Sequence, residues 1–206
     1  MITIIDYKAG NLTSVKLAFE SIGQKVQITD DAEKILRAEK IVFPGVGAAK
    51  AAMDNLKSLN LIEPIRKVIA DGVPFLGICI GMQVLFETSE EDGGTKCLGI
   101  LPGTVKKFKS NDKLCKIPQI GWNTVKIVKQ HPIFDGIEDE SEFYFVHSFY
   151  PYCSNSDNII GQTEYAGSVF ASAAGKGNLA AVQFHPERSG RIGLKLLENF
   201  SNWNGD

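Results

Sequence analysis

The sequence lacks the features that would by themselves mark a membrane, nucleic-acid-binding or repeat protein. Its net charge is only −2 over 206 residues, which gives no reason to expect nucleic acid or an anionic membrane as a partner. No apolar run is long enough to span a bilayer, and no repeat, linker or low-complexity block divides the chain. We therefore expect one α/β domain over residues 1–206, with 44% hydrophobic residues to form its core.

Cysteine is scarce, and its spacing gives no indication of a metal site. The four cysteines, Cys79, Cys97, Cys115 and Cys153, form no Cys-x-x-Cys pair and show no zinc-ligand spacing. The N-terminal residues lack the basic start and the small-residue cleavage site of a secretory signal peptide. We therefore expect a cytoplasmic protein with reduced thiols.

Hydrophobic periodicity predicts alternating strands and helices in the first half of the chain. The strands are expected over residues 2–5, 26–28, 41–43 and 73–78, and the helices after an N-cap at Asn11 and over residues 48–56 and 61–69. Short strands are expected in the second half, over residues 100–108, 124–128, 143–150, 158–165, 168–171 and 179–184, before a final helix. The alternation predicts an open, mostly parallel, doubly wound sheet flanked by helices, with additional antiparallel strands in the second half.

One segment has the pattern of a nucleophile-bearing turn. Residues 77–81 read Gly-Ile-Cys-Ile-Gly, after the apolar run 73–76 and before a helix-like segment over residues 82–87. This is the cysteine form of the Gly-x-Ser-x-Gly elbow, in which flanking glycines permit a sharp strand-to-helix turn. The helix N-terminus would favour a thiolate at Cys79, and the Ile80 amide would face a developing oxyanion. The alternative is a buried structural cysteine in an ordinary turn.

An activated cysteine requires a base, and the sequence offers three histidines. His131 lies in a polar turn and is expected to be a solvent-exposed loop residue. His147 lies among strong strand formers and is expected to be packed and hydrogen-bonded. His185 precedes Pro186, which favours an extended backbone and therefore places residues 185 and 187 on one side. The Glu187 carboxylate could then orient one imidazole nitrogen while the other faces a thiol.

The chain resembles the class I (triad) glutamine amidotransferases. The resemblance is carried by the elbow and its continuation through residue 83, by Gln-Phe-His-Pro-Glu at residues 183–187, and by Pro-Gly-Val-Gly at residues 44–47. Within the family, the segments 118–123, 145–150 and 187–189 are similar to glutaminase subunits that supply ammonia to a (β/α)8-barrel cyclase in histidine biosynthesis. The resemblance extends along essentially the whole chain. Lys8 departs from it, replacing an expected glycine, and Arg188 stands where lysine is frequent.

The resemblance implies hydrolysis of L-glutamine through a cysteine thioester, without a metal or cofactor, in a heterodimer with the cyclase. The implied catalytic residues are Cys79, His185 and Glu187, and the implied oxyanion donors lie at Ile80, Val46 and Gly47. The implied substrate contacts are Gln83, Gly47, His147 and Ser148, and the implied partner contacts are Asn11, Trp122 and Tyr144. The resemblance also implies that a peptide bond in the Pro-Gly-Val-Gly loop flips when the partner binds its ligand, which would couple glutamine hydrolysis to the partner's reaction.

Several alternatives remain open from the residues alone. Gln83 could cap local backbone, and Trp122, expected in a turn after Gly121, could be covered by core. The whole chain could be a paralogous amidotransferase that supplies ammonia to a surface-polysaccharide sugar. A DJ-1/PfpI-like cysteine hydrolase usually has histidine after the cysteine, where this chain has Ile80. A non-catalytic scaffold would have little reason to retain a cysteine, a histidine and a glutamate together.

Overall fold

The computed structural model describes residues 1–8, 11–110 and 115–206. The described residues form thirteen strands: β1 (Ile2–Ile5), β2 (Val26–Thr29), β3 (Lys40–Phe43), β4 (Phe75–Ile78), β5 (Thr88–Ser89), β6 (Thr95–Lys96), β7 (Gly103–Lys107), β8 (Gln119–Ile127), β9 (Ser141–His147), β10 (Phe149–Cys153), β11 (Ile159–Tyr165), β12 (Ser168–Lys176) and β13 (Leu179–Val182). They also form six α-helices: α1 (Leu12–Ser21), α2 (Ala32–Leu36), α3 (Ala49–Ser58), α4 (Ile62–Ala70), α5 (Ile80–Gln83) and α6 (Gly190–Asn202). The sequence has a basic stretch with lysines at residues 106, 107, 109, 113 and 116, and residues 6–11 also resemble the amidotransferase family. Of these residues, Ala9, Gly10 and Lys113 lie outside the described ranges.

A nine-stranded sheet positions the candidate site. Its strand order is β2-β1-β3-β4-β13-β12-β11-β8-β9, and the first five strands run parallel. The central strands β1 and β4 are buried throughout, as expected for parallel strands with both faces covered. In β13 and β4, Val182 pairs with Ile78, so the residues that follow these two strands emerge side by side at the carboxyl edge.

The remaining strands are mainly antiparallel. Strands β12, β11, β8 and β9 extend the large sheet beyond β13, and a smaller sheet has the order β10-β7-β5-β6. The predicted fold class is therefore confirmed, including the change to antiparallel pairing in the second half. Asn11 caps α1 as predicted, because its side-chain oxygen accepts the Ser14 amide at 3.3 Å.

The structure corrects the predicted helix over residues 82–87. The helix α5 is a single turn that ends at Gln83. The carbonyl groups of Val84, Leu85 and Phe86 accept amides from residues 98–101 instead of continuing the helical ladder. This returning segment replaces the helical hydrogen bonds, so long-range pairing, rather than local propensity, ends the helix.

Two predicted boundaries in the second half are also wrong. Trp122 and Asn123, expected in a turn, lie inside the nine-residue strand β8. Trp122 pairs with Tyr144 of β9 in the antiparallel register. The strand expected over residues 143–150 is divided at Ser148 into β9 and β10, which join different sheets. The short helix α2 had no counterpart in the sequence-based prediction.

Within the described ranges, no helix has the length and apolar content that crossing a membrane would require.

Candidate active site

Cys79 occupies a strained turn between β4 and α5. Its backbone has φ 55° and ψ −110°, an unusual conformation for a residue with a side chain. The Cys79 amide donates to the Val182 carbonyl at 2.8 Å, and its own carbonyl accepts the Met82 and Gln83 amides. The turn is therefore fixed from both sides, and the cysteine itself adopts the left-handed φ.

The flanking glycines serve close approach rather than backbone freedom. A Cβ at Gly81 would collide with the carbonyl oxygen of Phe43, and one at Gly77 would lie 2.9 Å from the Gly81 carbonyl oxygen. The elbow thus needs glycine at both positions because β3, β4 and α5 pack with no room for a methyl group. The sequence pattern predicted the turn correctly, and the structure supplies this steric reason for the glycines.

His185 and Glu187 form the expected pair of base and orienting group. His185 is extended, with φ −105° and ψ 93°, and its Nδ1 lies 2.8 Å from Glu187 Oε1. Both side chains are almost inaccessible to solvent. Pro186 begins the 3-10 turn Pro186–Arg188, and this turn brings the Glu187 carboxylate to the His185 imidazole. The second nitrogen, Nε2, is left free to face the thiol.

The electrostatics of His185 reflect two opposing effects. Burial disfavours its charged form, but the neighbouring Cys79 sulfur and the Glu187 carboxylate outweigh burial and raise the pKa of His185 to about 10. A raised pKa favours the protonated form of His185, which can give a proton to a leaving group.

The Pro-Gly-Val-Gly loop lies against the elbow. Val46, Gly47, Cys79, Ile80 and His185 line one cavity of about 440 Å³. Val46 is exposed at its edge, and Gly47 has φ 96°, so a side chain at position 47 would be strained even though space is available. The Ile80 amide is the first of α5 and has no preceding helical carbonyl to bind. The structure thus brings all three predicted oxyanion positions to the cavity that contains the thiol.

The structure supports both interpretations of Gln83, as a residue of the cavity and as a side chain that hydrogen-bonds within the protein. It lines the cavity, yet its Nε2 donates to the Phe149 carbonyl at 3.0 Å and to Gln183 Oε1 at 2.9 Å. Both amide hydrogens are therefore engaged within the protein. Oε1 of Gln83 is buried and has no hydrogen-bond partner among the described residues.

His147 and Ser148 also line the cavity, but the imidazole of His147 is committed to the fold. Its Nδ1 lies 2.8 Å from the Phe149 carbonyl oxygen and its Nε2 lies 2.9 Å from the side-chain oxygen of Gln119. Burial lowers the pKa of His147 to about 4, against the raising effect of the Phe149 hydrogen bond. The prediction of a packed, hydrogen-bonded histidine is confirmed, and the chain between His147 and Phe149 forms the cavity wall.

The aromatic residues predicted to contact a partner are linked to the cavity through Arg188. The Trp122 and Tyr144 rings are 6.1 Å apart, and the guanidinium of the cavity-lining Arg188 lies 4.8 Å from the Tyr144 ring centre. Trp122 is 54% exposed, which excludes the alternative of a tryptophan covered by core. Asn11 is exposed and follows β1, whose carboxyl end is at the same sheet edge as that of β4.

One further residue of the cavity was not identified from the sequence. Glu91 lines the cavity, and its carboxylate accepts the Ala49 amide at 2.7 Å, at the start of α3. Burial raises the pKa of Glu91, although the Ala49 hydrogen bond opposes this.

Lys8, which replaces the expected glycine, has φ 64°, and its ammonium pairs with Asp30 at 2.8 Å. Glycine is expected at this position because the backbone has a positive φ, which glycine adopts without strain. In this chain lysine occupies the position instead, and its side chain forms an ion pair with Asp30.

His131 does not lie in solvent as predicted. It is half-buried, with its ring 4.9 Å from that of Trp203, and burial lowers its pKa to about 4. Its Nδ1 accepts the Ile133 amide at 3.3 Å. A polar local sequence gave no sign that the C-terminal tryptophan would cover this turn.

Comparisons with known proteins match nearly the whole chain to one family. The family described as Glutamine amidotransferase class-I matches residues 3–202. A protein of Methanocaldococcus jannaschii named imidazole glycerol phosphate synthase subunit HisH is 54% identical, over 97% of this chain and 98% of that protein. One of the same name from Nitrosococcus oceani is 46% identical, over 99% and 98%.

Solved structures share the fold at lower identity. A structure of PurLQS from Thermotoga maritima has a TM-score of 0.74 at 20% identity, covering 98% of this chain and 97% of the matched one. A crystal structure described only as glutamine amidotransferase has a TM-score of 0.72 at 15% identity, covering 98% and 100%. At these identities the likeness concerns the fold.

Proposed function

The chain belongs to the class I glutamine amidotransferases, and we propose that it is the glutaminase subunit of imidazole glycerol phosphate synthase. The observation that carries this proposal is the grouping of Cys79 and His185 at one cavity, with Nδ1 of His185 held by the Glu187 carboxylate at 2.8 Å. The names and near-complete coverage of the relatives support the assignment to this subunit over another amidotransferase.

The proposed reaction converts L-glutamine and water to L-glutamate and ammonia. The Cys79 thiolate attacks the side-chain carbonyl carbon, and the imidazolium of His185 gives its proton to the departing amine, which leaves as ammonia. A thioester of Cys79 results. Neutral His185 then accepts a proton from water as the water attacks the thioester, and glutamate leaves with the thiolate restored. Glu187 keeps the imidazole oriented and stabilises its charge throughout.

The oxyanion formed in each attack would be stabilised by backbone amides. The Ile80 amide and an amide of the loop at Val46 or Gly47 are the proposed donors, because all three residues surround Cys79 at the cavity. Removal of one such donor typically reduces kcat by about 10²–10³-fold. Since Gly47 already occupies the left-handed region, a change of peptide orientation in this loop is sterically easy.

The remaining polar groups of the cavity suit an amino acid. We assign the α-ammonium of glutamine to the Glu91 carboxylate, which accepts hydrogen bonds at the cavity, and we propose that the side chain of Gln83, which also lines the cavity, borders the bound substrate. The backbones of Gly47, His147 and Ser148 supply further contacts to the substrate. The cavity volume of about 440 Å³ lies in the usual range for a small-molecule site.

The proposed partner is the (β/α)8-barrel cyclase that consumes the ammonia and forms imidazole glycerol phosphate and AICAR. Trp122 and Tyr144 are proposed as its contacts, together with Asn11, because an exposed tryptophan ring packed against a second aromatic ring suits a binding hot spot. The complex would be a heterodimer in the cytoplasm, a compartment in which the four free thiols stay reduced.

The decisive experiment compares glutaminase activity of the chain alone, with the cyclase, and with the cyclase and its nucleotide ligand. We expect low basal activity and strong stimulation by the liganded cyclase. The Cys79→Ser variant should lose this activity, whereas Cys153→Ser, at a thiol that only donates to the Asn155 carbonyl, should retain it. An active Cys79→Ser variant would refute the nucleophile, and absence of stimulation by any cyclase would refute the proposed pathway.

A further inference from the structure

The side chain of Gln183 lies beside the thiol that the proposed mechanism uses. Cys79 follows β4 and Gln183 follows β13, and these parallel strands pair directly, with Val182 opposite Ile78. The Gln183 amide is anchored to the Ser172 carbonyl at 2.8 Å, and its side chain is completely buried. Its Nε2 lies 3.6 Å from Cys79 Sγ, which is within hydrogen-bonding distance for sulfur.

The orientation of this amide is determined by its surroundings. The backbone carbonyl of Phe149 can only accept a hydrogen bond, so the Gln83 atom that lies 3.0 Å from it must be the nitrogen. The same Gln83 nitrogen lies 2.9 Å from Gln183, which must therefore present its oxygen. Consequently the Gln183 nitrogen, and not its oxygen, faces the sulfur. The hydrogen bonds that link Phe149, the two glutamines and Cys79 therefore have only one possible direction, with Gln83 donating to Phe149 and Gln183, and Gln183 donating to Cys79.

We propose that Gln183 is a further catalytic residue, a second hydrogen-bond donor to the Cys79 sulfur beside His185, and that Gln83 positions it. This inference rests on the proposed role of Cys79 as nucleophile. A donor to an ionised sulfur stabilises the charge without carrying any charge itself, so it favours the thiolate and leaves the proton balance of His185 unchanged. It also restrains the side chain of Cys79 within its turn.

The structural alternative is that Gln183 only fills a buried polar position. The two interpretations differ in what they predict for the ionisation of Cys79. A packing role predicts altered stability with an unaltered thiol, whereas a donor role predicts a thiol that ionises at higher pH when the donor is removed. The test therefore measures the pH dependence of iodoacetamide alkylation at Cys79, resolved from the other cysteines by peptide mass spectrometry.

We expect Gln183→Leu to move the midpoint of the Cys79 alkylation profile upward by about one pH unit or more. Gln183→Glu has the same size as the parent side chain and retains the oxygen that Gln83 binds, but it places an oxygen against the sulfur. Its shift should exceed that of Gln183→Leu, and it decides the question if the leucine variant does not fold. Gln83→Leu frees the Gln183 amide to rotate and should give a smaller shift in the same direction.

The matched control is Gln162→Leu, on β11, two strands from β13, and its midpoint should equal that of the parent. An unchanged midpoint in folded Gln183→Leu or Gln183→Glu overturns the proposal, whatever the change in stability. The profile is measured on the chain alone and needs no glutaminase activity. If the liganded cyclase fails to stimulate the parent, the proposed function falls, while the alkylation profile still decides the role of Gln183.

Discussion

The backbone amide of His185 donates to the carbonyl of Tyr144 at 2.9 Å, so the proposed base and a proposed partner contact are joined by one hydrogen bond. Ser189 reinforces the link, since its hydroxyl donates to the His185 carbonyl at 2.7 Å and accepts the Tyr144 amide at 3.0 Å. A shift of β9 caused by a partner at the Tyr144 ring would therefore reach His185 through the backbone.

Replacing Ser189 with alanine should weaken this connection. The Tyr144 amide would lose its acceptor in a partly buried position, which should lower the free energy of unfolding by about 1–3 kcal/mol. We also expect a lower kcat with little change in KM, measured on the cyclase complex beside urea denaturation of the free chain. Ser201→Ala is the matched control, because that hydroxyl also donates to a backbone carbonyl, at 2.8 Å, but has no link to His185. Equal kcat in the two variants would contradict the role given to Ser189.

Replacing Glu187 with glutamine should separate orientation from charge at His185. Because burial disfavours the charged imidazole, removal of the Glu187 charge should lower its pKa from about 10 and reduce kcat by roughly 10²-fold or more. The exposed Glu164→Gln is the control. A kcat within a few fold of the parent would show that the negative charge of Glu187 is not needed for catalysis.

The Glu187→Gln variant should also lose less stability than the parent as the pH rises from 6 to 10. The pKa of His185 is about 10 in the fold and about 6.5 in the unfolded chain, so the folded state binds more protons between these values. Its contribution is therefore fully present below pH 6.5 and is lost as the pH rises toward 10. Denaturation at pH 6, 8 and 10 should show a shallower decline for Glu187→Gln than for the parent, and an identical slope would contradict the assigned shift.

Replacing Trp122 with alanine should weaken the complex without unfolding the chain. The side chain is 54% exposed in the free subunit, so its loss should change the free energy of unfolding by less than about 0.5 kcal/mol. As a hot spot it should contribute about 2 kcal/mol or more to binding, which corresponds to a roughly 30-fold higher Kd for the cyclase. Calorimetric titration measures this effect. Tyr152→Ala, at a similarly exposed aromatic residue on the smaller sheet, should bind as the parent does.

Replacing His131 with asparagine should protect the fold against acid. The pKa of His131 is about 4 in the fold and about 6.5 when unfolded, so the unfolded state binds more protons in this interval, and stability is lost as the pH falls from 6.5 toward 4. The full loss is about 3 kcal/mol. Asparagine keeps an acceptor for the Ile133 amide and does not titrate. Urea denaturation at pH 7 and pH 4.5 should show a smaller decrease for the variant, and an equal decrease would refute a neutral, buried His131.

The sequence by itself determined the parallel strands, the turn at Cys79 and the pairing of His185 with Glu187. Each depends on neighbours within a few residues: continuous apolar runs, glycines beside a cysteine, and a proline that holds residues 185 and 187 on one side. Because these signals are local in the sequence, they can be recognised without knowledge of the fold.

The tertiary structure alone decided which distant residues meet at the site. Gln183 reaches Cys79 across 104 positions of the chain, Glu91 meets Ala49 across 42, and Trp203 covers His131. The same kind of contact ended α5 after one turn and placed Trp122 in a strand. These pairings depend on strand order and register, which local periodicity does not encode. The sequence therefore predicted the position of the Cys79 thiol in a turn but not the side chains that surround it.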